Sequence, residues 1–295
     1  MPALTDEARA KVNLTLRVIG RRVDGYHDLE SVVAFCDCAD RLTLKSGTEL
    51  HLTTTGPRAN DCGEASDNLV LKAARLLGER VDELKAGEFI LDKVLPVAAG
   101  IGGGSADAAA ALRLLAWANK LALNDPRVVE VAQLTGADVP VCLLSHACVM
   151  TGVGETLLPL TLPKMPCMLV NPCVPVATRD VFEALGLRHG ELRVGATDVI
   201  LFDPIWPEAG ASIDAWIEAL ASIGNDLEKP ATRIQPVIGE VLAALGAADG
   251  VRLARMSGSG ATCFAIFDDD ADAQRAAQAI QLEHPLWWVH AGALS

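Results

Sequence analysis

From residue 8 to residue 19 apolar and polar side chains alternate. Val12, Leu14, Leu16 and Val18 fall on one face, and Lys11, Asn13, Thr15 and Arg17 on the other. A period of two predicts a half-buried strand. The stretch Arg21-Arg22-Val23-Asp24-Gly25-Tyr26-His27 follows as a polar turn, and strand-like runs at 29–36, 41–45 and 49–54 give an antiparallel beginning. Over 67–80 the period changes: Leu69, Ala73, Leu76 and Leu77 share a stripe, with Asp67 or Asn68 placed to cap a helix. A short strand is expected at 88–91, an alanine-rich helix at 106–119, a helix near 127–135, and strands near 147–151 and 155–160. Prolines 159, 163 and 166 mark a domain boundary. Beyond it come a strand at 167–171, helices near 178–186, 213–224 and 231–246, strands at 250–256 and 262–267, a helix at 271–282 and a last strand at 287–291. No repeat interrupts this order, which reads as two α+β domains, 1–160 and 161–295.

Composition narrows the class. The 295 residues are 51% hydrophobic and 21% charged, a globular balance. Much of the apolar share is alanine and aromatics are only 4%, so the core should be aliphatic and helix-rich. A net charge of −13 argues against binding to nucleic-acid phosphates or anionic lipid, although one local cationic pocket can still take a small anion. The start, Met-Pro-Ala-Leu-Thr-Asp-Glu, carries acids where a signal peptide carries lysines. The longest uncharged stretch, 139–154, is interrupted by Pro140, His146 and Gly152 and falls short of the roughly 20 apolar residues of a membrane helix. The eight cysteines are scattered without a CxxC pair, and Cys36-x-Cys38 has poor zinc-ligand spacing. Free thiols in a reducing cytoplasm are expected, with no metal site, no nucleic acid and no membrane as partner. The segment 190–212, rich in glycine and proline, reads as an insertion, and most of Trp206, Trp216, Trp287 and Trp288 read as core.

The most informative stretch is Pro96-Val-Ala-Ala-Gly-Ile-Gly-Gly-Gly-Ser105, directly before a strong helix. Glycine admits positive φ and lets a ligand approach the backbone. The helix that follows turns unpaired N–H groups and the positive end of its dipole toward the loop, a ready site for phosphate. Ser105 can cap the helix or bind a phosphate-bound Mg²⁺. The Walker pattern fails because no lysine precedes Ser105, and the dinucleotide fingerprint fails because Ser105 stands where a third glycine belongs. The bland alternative is a flexible turn.

Other candidates each carry a bland reading too. Lys11 and Asn13 share a strand face, which is ordinarily a solvated polar face. Asp138, between Gly136 and Pro140, could merely cap a short helix. Tyr26, the single tyrosine, and His27 could be plain turn residues. Met256-Ser-Gly-Ser-Gly260 separates two apolar strands and could be a hairpin loop and nothing more.

Ala10-Lys11-Val12-Asn13-Leu14, Arg22-Val23-Asp24-Gly25-Tyr26-His27, Pro96–Ser105, Gly136-Ala-Asp138-Val-Pro140 and Met256–Gly260, in this order and spacing, resemble the GHMP kinase superfamily over nearly the whole chain. The Lys-x-Asn start and Gly-Tyr-His turn resemble its branch in the non-mevalonate isoprenoid route, whose acceptor carries a cytosine nucleotide. They are less like the branches acting on mevalonate, homoserine or galactose. The resemblance implies an α+β fold with an N-terminal ATP-binding domain like the second domain of ribosomal protein S5 and a ferredoxin-like C-terminal domain, ATP and substrate meeting in the cleft between them. It implies transfer of the ATP γ-phosphoryl group, with Mg²⁺ accompanying ATP, to a hydroxyl of a small-molecule substrate by a monomer or homodimer. Asp138 falls in the base position with Lys11 beside it. Pro96, Val97, Ala98, Ala99, Gly100, Ile101, Gly102, Gly103, Gly104, Ser105 and Ala106 would hold the ATP phosphates. Asn68 falls at the adenine pocket and Lys93 near the nucleotide. Asn13, Tyr26, His27, Thr178 and Phe182 fall on the substrate side. Val33 departs from an aromatic found in some relatives, and Ala106 from a common serine. Local positive potential from Lys11, Lys93 and the loop is expected to overrule the acidic surface. Two alternatives stay open: another GHMP small-molecule kinase, or a non-catalytic nucleotide-binding regulator.

Overall fold

A computed structural model describes residues 3–47, 49–193 and 206–295. The chain forms two compact units, each assembled from separate pieces of sequence. Unit 1 comprises Met1–Lys11, Cys38–Val97 and Gly102–Ser145; unit 2 comprises Val12–Asp37, Ala98–Ile101 and His146–Ser295.

Strand β1 (Leu4–Asn13) ends earlier than the alternation suggested, and β2 (Arg17–Arg21) is a separate strand. The two runs at 29–36 and 41–45 are one strand, β3 (His27–Ser46). Asp37 and Asp40 break the apolar pattern without breaking the backbone ladder.

In unit 1, β5 (Gly87–Asp92) pairs antiparallel with the second half of β3 and parallel with β4 (His51–Thr55). Helices α1 (Leu69–Gly78), α2 (Gly103–Ala118), α3 (Pro126–Thr135) and α4 (Val139–Leu144) pack together. Helix α2 is buried along nearly its whole length, and its alanines at 106, 108–111, 116 and 118 keep side-chain bulk low enough for neighbouring helices to close in. Asn68, not Asp67, caps α1, its side-chain oxygen accepting from the Val70 N–H at 2.9 Å. Helix α4 is the short helix that the bland reading of Asp138 allowed; Pro140 stands in its first turn, where its missing N–H costs nothing.

In unit 2, β2 and β6 (Cys148–Gly152) flank the first half of β3, and β7 (Thr156–Pro159) pairs with β6. A further sheet takes β8 (Met165–Asn171), β9 (Val251–Met256), β10 (Cys263–Phe267) and β11 (Trp288–Leu294) in the order β11-β8-β10-β9, every pair antiparallel. Helices α5 (Thr178–Glu183), α6 (Ile213–Ala221), α7 (Glu228–Ile234) and α8 (Val237–Gly246) lie between its first two strands, and α9 (Asp270–Glu283) between its last two. Strand order fourth-first-third-second with helices at those two crossings is the ferredoxin-like arrangement expected for the second half. Pro236 divides the expected helix 231–246 into α7 and α8. Of the tryptophans only Trp216 is fully buried, against the expectation that most would be core. Residues 194–205, within the segment 190–212, lie outside the described residues. Among the described residues no helix is long and apolar enough to cross a membrane.

Candidate active site

Lys11 is 4% exposed and Asn13 1%, so the polar face of β1 is buried rather than solvated. A buried ammonium needs a counter-charge. Within unit 1 Asp138 supplies it, with Lys11 Nζ 3.1 Å from Asp138 Oδ2. Asp138 immediately precedes α4, yet its side chain makes no capping hydrogen bond. The capping reading therefore fails. Its side chain is 36% exposed while that of the lysine is 5% exposed, so a ligand can reach the carboxylate.

Helix α2 begins inside the glycine run, three residues earlier than its pattern predicted. Its N-cap is Gly102, held left-handed at φ 63°, with no side-chain cap. A Cβ on Gly102 would stand 3.2 Å from Lys11 Cε, so glycine is what lets the helix start lie against the lysine. The N–H groups of Gly103, Gly104 and Ser105 have no acceptor within the helix. Pro96, Ala99, Ile101 and Ala106 are buried and anchor the loop, whereas Val97, Ala98 and Gly104 are exposed. The loop therefore offers backbone donors on fixed points, the arrangement expected for phosphate.

Lys93 sits differently from Lys11. It is 2% exposed, and its Nζ donates to Asp40 Oδ2 at 2.6 Å and to Asp107 Oδ2 at 2.5 Å. Burial works to lower the Lys93 pKa, but the carboxylates of Asp107 and Asp40 together outweigh it and hold the ammonium above its usual range. Burial raises the Asp107 carboxyl, with Lys93 opposing and Asp40 adding to the rise. Lys11 faces the Asp138 carboxylate and Lys93 faces those of Asp40 and Asp107, so each ammonium has counter-charge close by. The backbone N–H groups at the start of α2 are further donors for an anion.

In unit 2 the second glycine stretch is more than a hairpin loop. Ser257 Oγ accepts from the Asn13 N–H at 3.0 Å and donates to the Gly100 carbonyl at 3.0 Å. The Thr262 N–H donates to the Ala99 carbonyl at 3.0 Å. Gly100, at φ 77°, could carry no side chain there, since a Cβ would lie 2.7 Å from the carbonyl oxygens of both Ser257 and Gly260. Asn13 also donates through Nδ2 to Ser31 Oγ at 2.7 Å. Asn225 braces the stretch, its Nδ2 donating to the carbonyls of Met256 and Gly258, both at 2.8 Å.

The His27 ring stacks on Phe182 with centroids 4.6 Å apart and planes 29° from parallel. Burial first, then the charges of Arg21 and His189, lower the His27 pKa from 6.5, so the ring is neutral at physiological pH. Its Nε2 is buried with no hydrogen-bond partner among the described residues. Thr178 Oγ1 and Ser259 Oγ are 2.9 Å apart, which ties α5 to the second glycine stretch. Tyr26 is 63% exposed, and Val33 is buried. The sequence reading missed Asp40, Asp107, Ser31 and Asn225. A lone acid inside Ser105-Ala-Asp107-Ala-Ala was the available signal, since a carboxylate among buried alanines must have a partner.

These features belong with a known class. Models of the GHMP kinases N-terminal domain and the GHMP kinases C-terminal domain match residues 68–146 and 211–285. The chain belongs to the GHMP kinases and is an ATP-dependent small-molecule kinase. It is 70% identical over 292 residues to a 4-diphosphocytidyl-2-C-methyl-D-erythritol kinase of Rhodopseudomonas palustris (strain BisB18), covering 99% of this chain and 95% of that one. It is also 70% identical over 295 residues to the enzyme of that name from Bradyrhizobium diazoefficiens, covering 100% and 99%. A crystal structure of 4-(cytidine 5'-diphospho)-2C-methyl-D-erythritol kinase superposes with a TM-score of 0.78 at 34% identity, over 99% of both chains. Within the GHMP kinases, the chain belongs to the 4-diphosphocytidyl-2-C-methyl-D-erythritol kinase family.

Proposed function

We propose that the chain transfers the γ-phosphoryl group of ATP to the 2-hydroxyl of 4-diphosphocytidyl-2-C-methyl-D-erythritol, a step of the non-mevalonate isoprenoid route. The observation that carries the mechanism is the Lys11–Asp138 pair, 3.1 Å apart, with its carboxylate reachable and unused by the helix it precedes.

Phosphoryl transfer is mostly positioning and electrostatic stabilisation. In this reading Asp138 orients the acceptor hydroxyl and takes its proton as the new oxygen–phosphorus bond forms and the bond to the ADP oxygen breaks. Lys11 stabilises the negative charge that develops on the acceptor oxygen. The loop from Pro96 to Ala106 holds the phosphates of MgATP, the magnesium entering with the nucleotide, and Asn68 offers its amide nitrogen to the adenine while its oxygen caps α1. Lys93 serves the nucleotide through the loop it braces, since its charge is already engaged by Asp40 and Asp107. On the substrate side, Asn13, Tyr26, His27, Thr178 and Phe182 recognise the acceptor; the neutral His27 and its stacked Phe182 suit the cytosine.

The two family halves are assigned to residues 1–160 and 161–295, supported by the family models falling on opposite sides of residue 160. Six of the eight cysteines are buried, which suits the reducing cytoplasm in which we place the enzyme.

The test is coupled ADP release with MgATP and 4-diphosphocytidyl-2-C-methyl-D-erythritol, run beside mevalonate, homoserine and galactose. Turnover confined to the cytidyl acceptor is expected. Turnover with another of the four would overturn the acceptor, and MgATP binding without any turnover would point to a regulator.

A further inference from the structure

Three charged side chains in unit 1 meet out of contact with water: Asp40 on β3, Lys93 just beyond the end of β5, and Asp107 in the second turn of α2. One ammonium faces two carboxylates, so the fully ionised cluster carries a net negative charge in the protein interior. Asp107 Oδ1 has no hydrogen-bond partner among the described residues. A buried ion cluster with an unbalanced charge and an orphaned oxygen is a poor way to gain stability, because well-packed apolar groups of similar volume generally do as well or better. The cluster's value therefore lies in what its directional bonds hold in place.

They hold the two ends of the glycine loop. Asp40 Oδ1 accepts the N–H groups of Val94 at 2.6 Å and Leu95 at 2.9 Å, which fixes the direction in which the chain leaves β5 toward Pro96. Asp107 ties α2 to the same ammonium. Gly103 lies against that ammonium: a Cβ there would stand 3.4 Å from Lys93 Nζ and 3.9 Å from the Pro96 carbonyl oxygen. The start of α2 and the exit of β5 thus lean on each other across a glycine hydrogen, with Lys93 as the shared anchor.

We propose that Asp40 and Asp107, acting through Lys93, are positioning residues that preset the two ends of the 94–103 segment for the phosphates of MgATP. This rests on the reading that the glycine loop binds nucleotide. Asp107 is the residue that separates positioning from mere packing. Replacing it with leucine removes the unbalanced charge and the orphaned oxygen, and leaves Lys93 paired one-to-one with Asp40. The thermal midpoint of Asp107→Leu is expected to equal or exceed that of the native protein. Its MgATP dissociation constant, read by calorimetry on the full chain, is expected to rise about tenfold, because α2 is no longer registered on the ammonium. Asp107→Asn retains an acceptor for Lys93 and is expected to bind MgATP within about threefold of native. The KM for the acceptor should stay level in both variants. If leucine does not fit, Asp107→Ala asks the same question with a smaller group.

A folded Asp107→Leu or Asp107→Ala protein with native MgATP affinity would overturn the positioning role and leave the loop's function standing. Equal loss of affinity in Asp107→Asn and Asp107→Leu would also overturn it, since charge rather than the tie would then be what matters. Absence of MgATP binding by the native chain would overturn the nucleotide reading, and the positioning role with it.

Discussion

At Asp138 a carboxylate stands at the head of a helix without capping it, and its proposed role as base rests on that unused, reachable carboxylate. Asp138→Asn keeps the shape and removes the base. Turnover is expected to fall by about 10²–10⁴ while MgATP affinity stays near native. Steady-state rates beside a nucleotide titration check this, and near-native turnover would remove Asp138 from the mechanism. His27 makes a second prediction at this scale. Its pKa lies below 6.5, so the neutral ring predominates at and above that pH, and most of its protonation, with any loss of acceptor binding, falls below it. Acceptor KM should therefore be flat from about pH 8 through neutrality, with most of its rise below pH 6.5. A rise already under way at neutral pH would show that another group governs binding. The candidate residues themselves were legible in sequence because glycine runs, a Lys-x-Asn strand and a Gly-Ala-Asp turn are local patterns. Burial of Lys11 and the capture of Lys93 by Asp40 and Asp107 were not, since each depends on partners distant in the chain: Asp40 lies 53 positions from Lys93.

At the scale of elements, the glycine loop owes its course to close backbone approach. Gly100 combines a left-handed φ with a clearance that backbone carbonyls, unable to swing aside, deny to any side chain. Gly100→Ala is expected to destabilise unit 2 by about 2–5 kcal/mol, from about 1–2 for the left-handed conformation and about 1–3 for overpacking. Denaturant unfolding measures it, and a loss within about 0.5 kcal/mol, the range of an ordinary surface change, would show that the Ser257–Gly260 stretch relaxes freely. Element type was read correctly over most of the chain, and the errors gather at polar and proline residues, some taken as breaks where the element continues and one read through where it stops. Asp37 and Asp40 split β3 on paper but not in the ladder, since one is exposed and the other is satisfied by Lys93 and two N–H groups. Pro140 does not stop α4, because it stands in the first turn. Pro236 does separate α7 from α8, where the same residue type lies between two runs of helix.

For the molecule as a whole, a net charge of −13 must coexist with two anionic substrates. Lys11 and Lys93, first expected to resolve that conflict, each have counter-charge close by, from the partly exposed Asp138 for one and the buried Asp40 and Asp107 for the other. In the proposed site the backbone N–H groups at α2 would hold phosphate at short range by partial charges, and added salt screens contacts of that kind little. The acidic surface acts the other way, repelling nucleotide over distances that ions screen readily, since the Debye length falls from about 10 Å at 0.1 M to about 3 Å at 1 M. The two effects oppose each other. KM for MgATP is therefore expected to change by less than about threefold between roughly 50 and 500 mM potassium chloride, in either direction. A steep rise, tenfold or more, would mean that unpaired cations hold the phosphates, as they do where binding runs on counter-ion release. A flat profile would leave the backbone donors as the principal anion site of an acidic kinase.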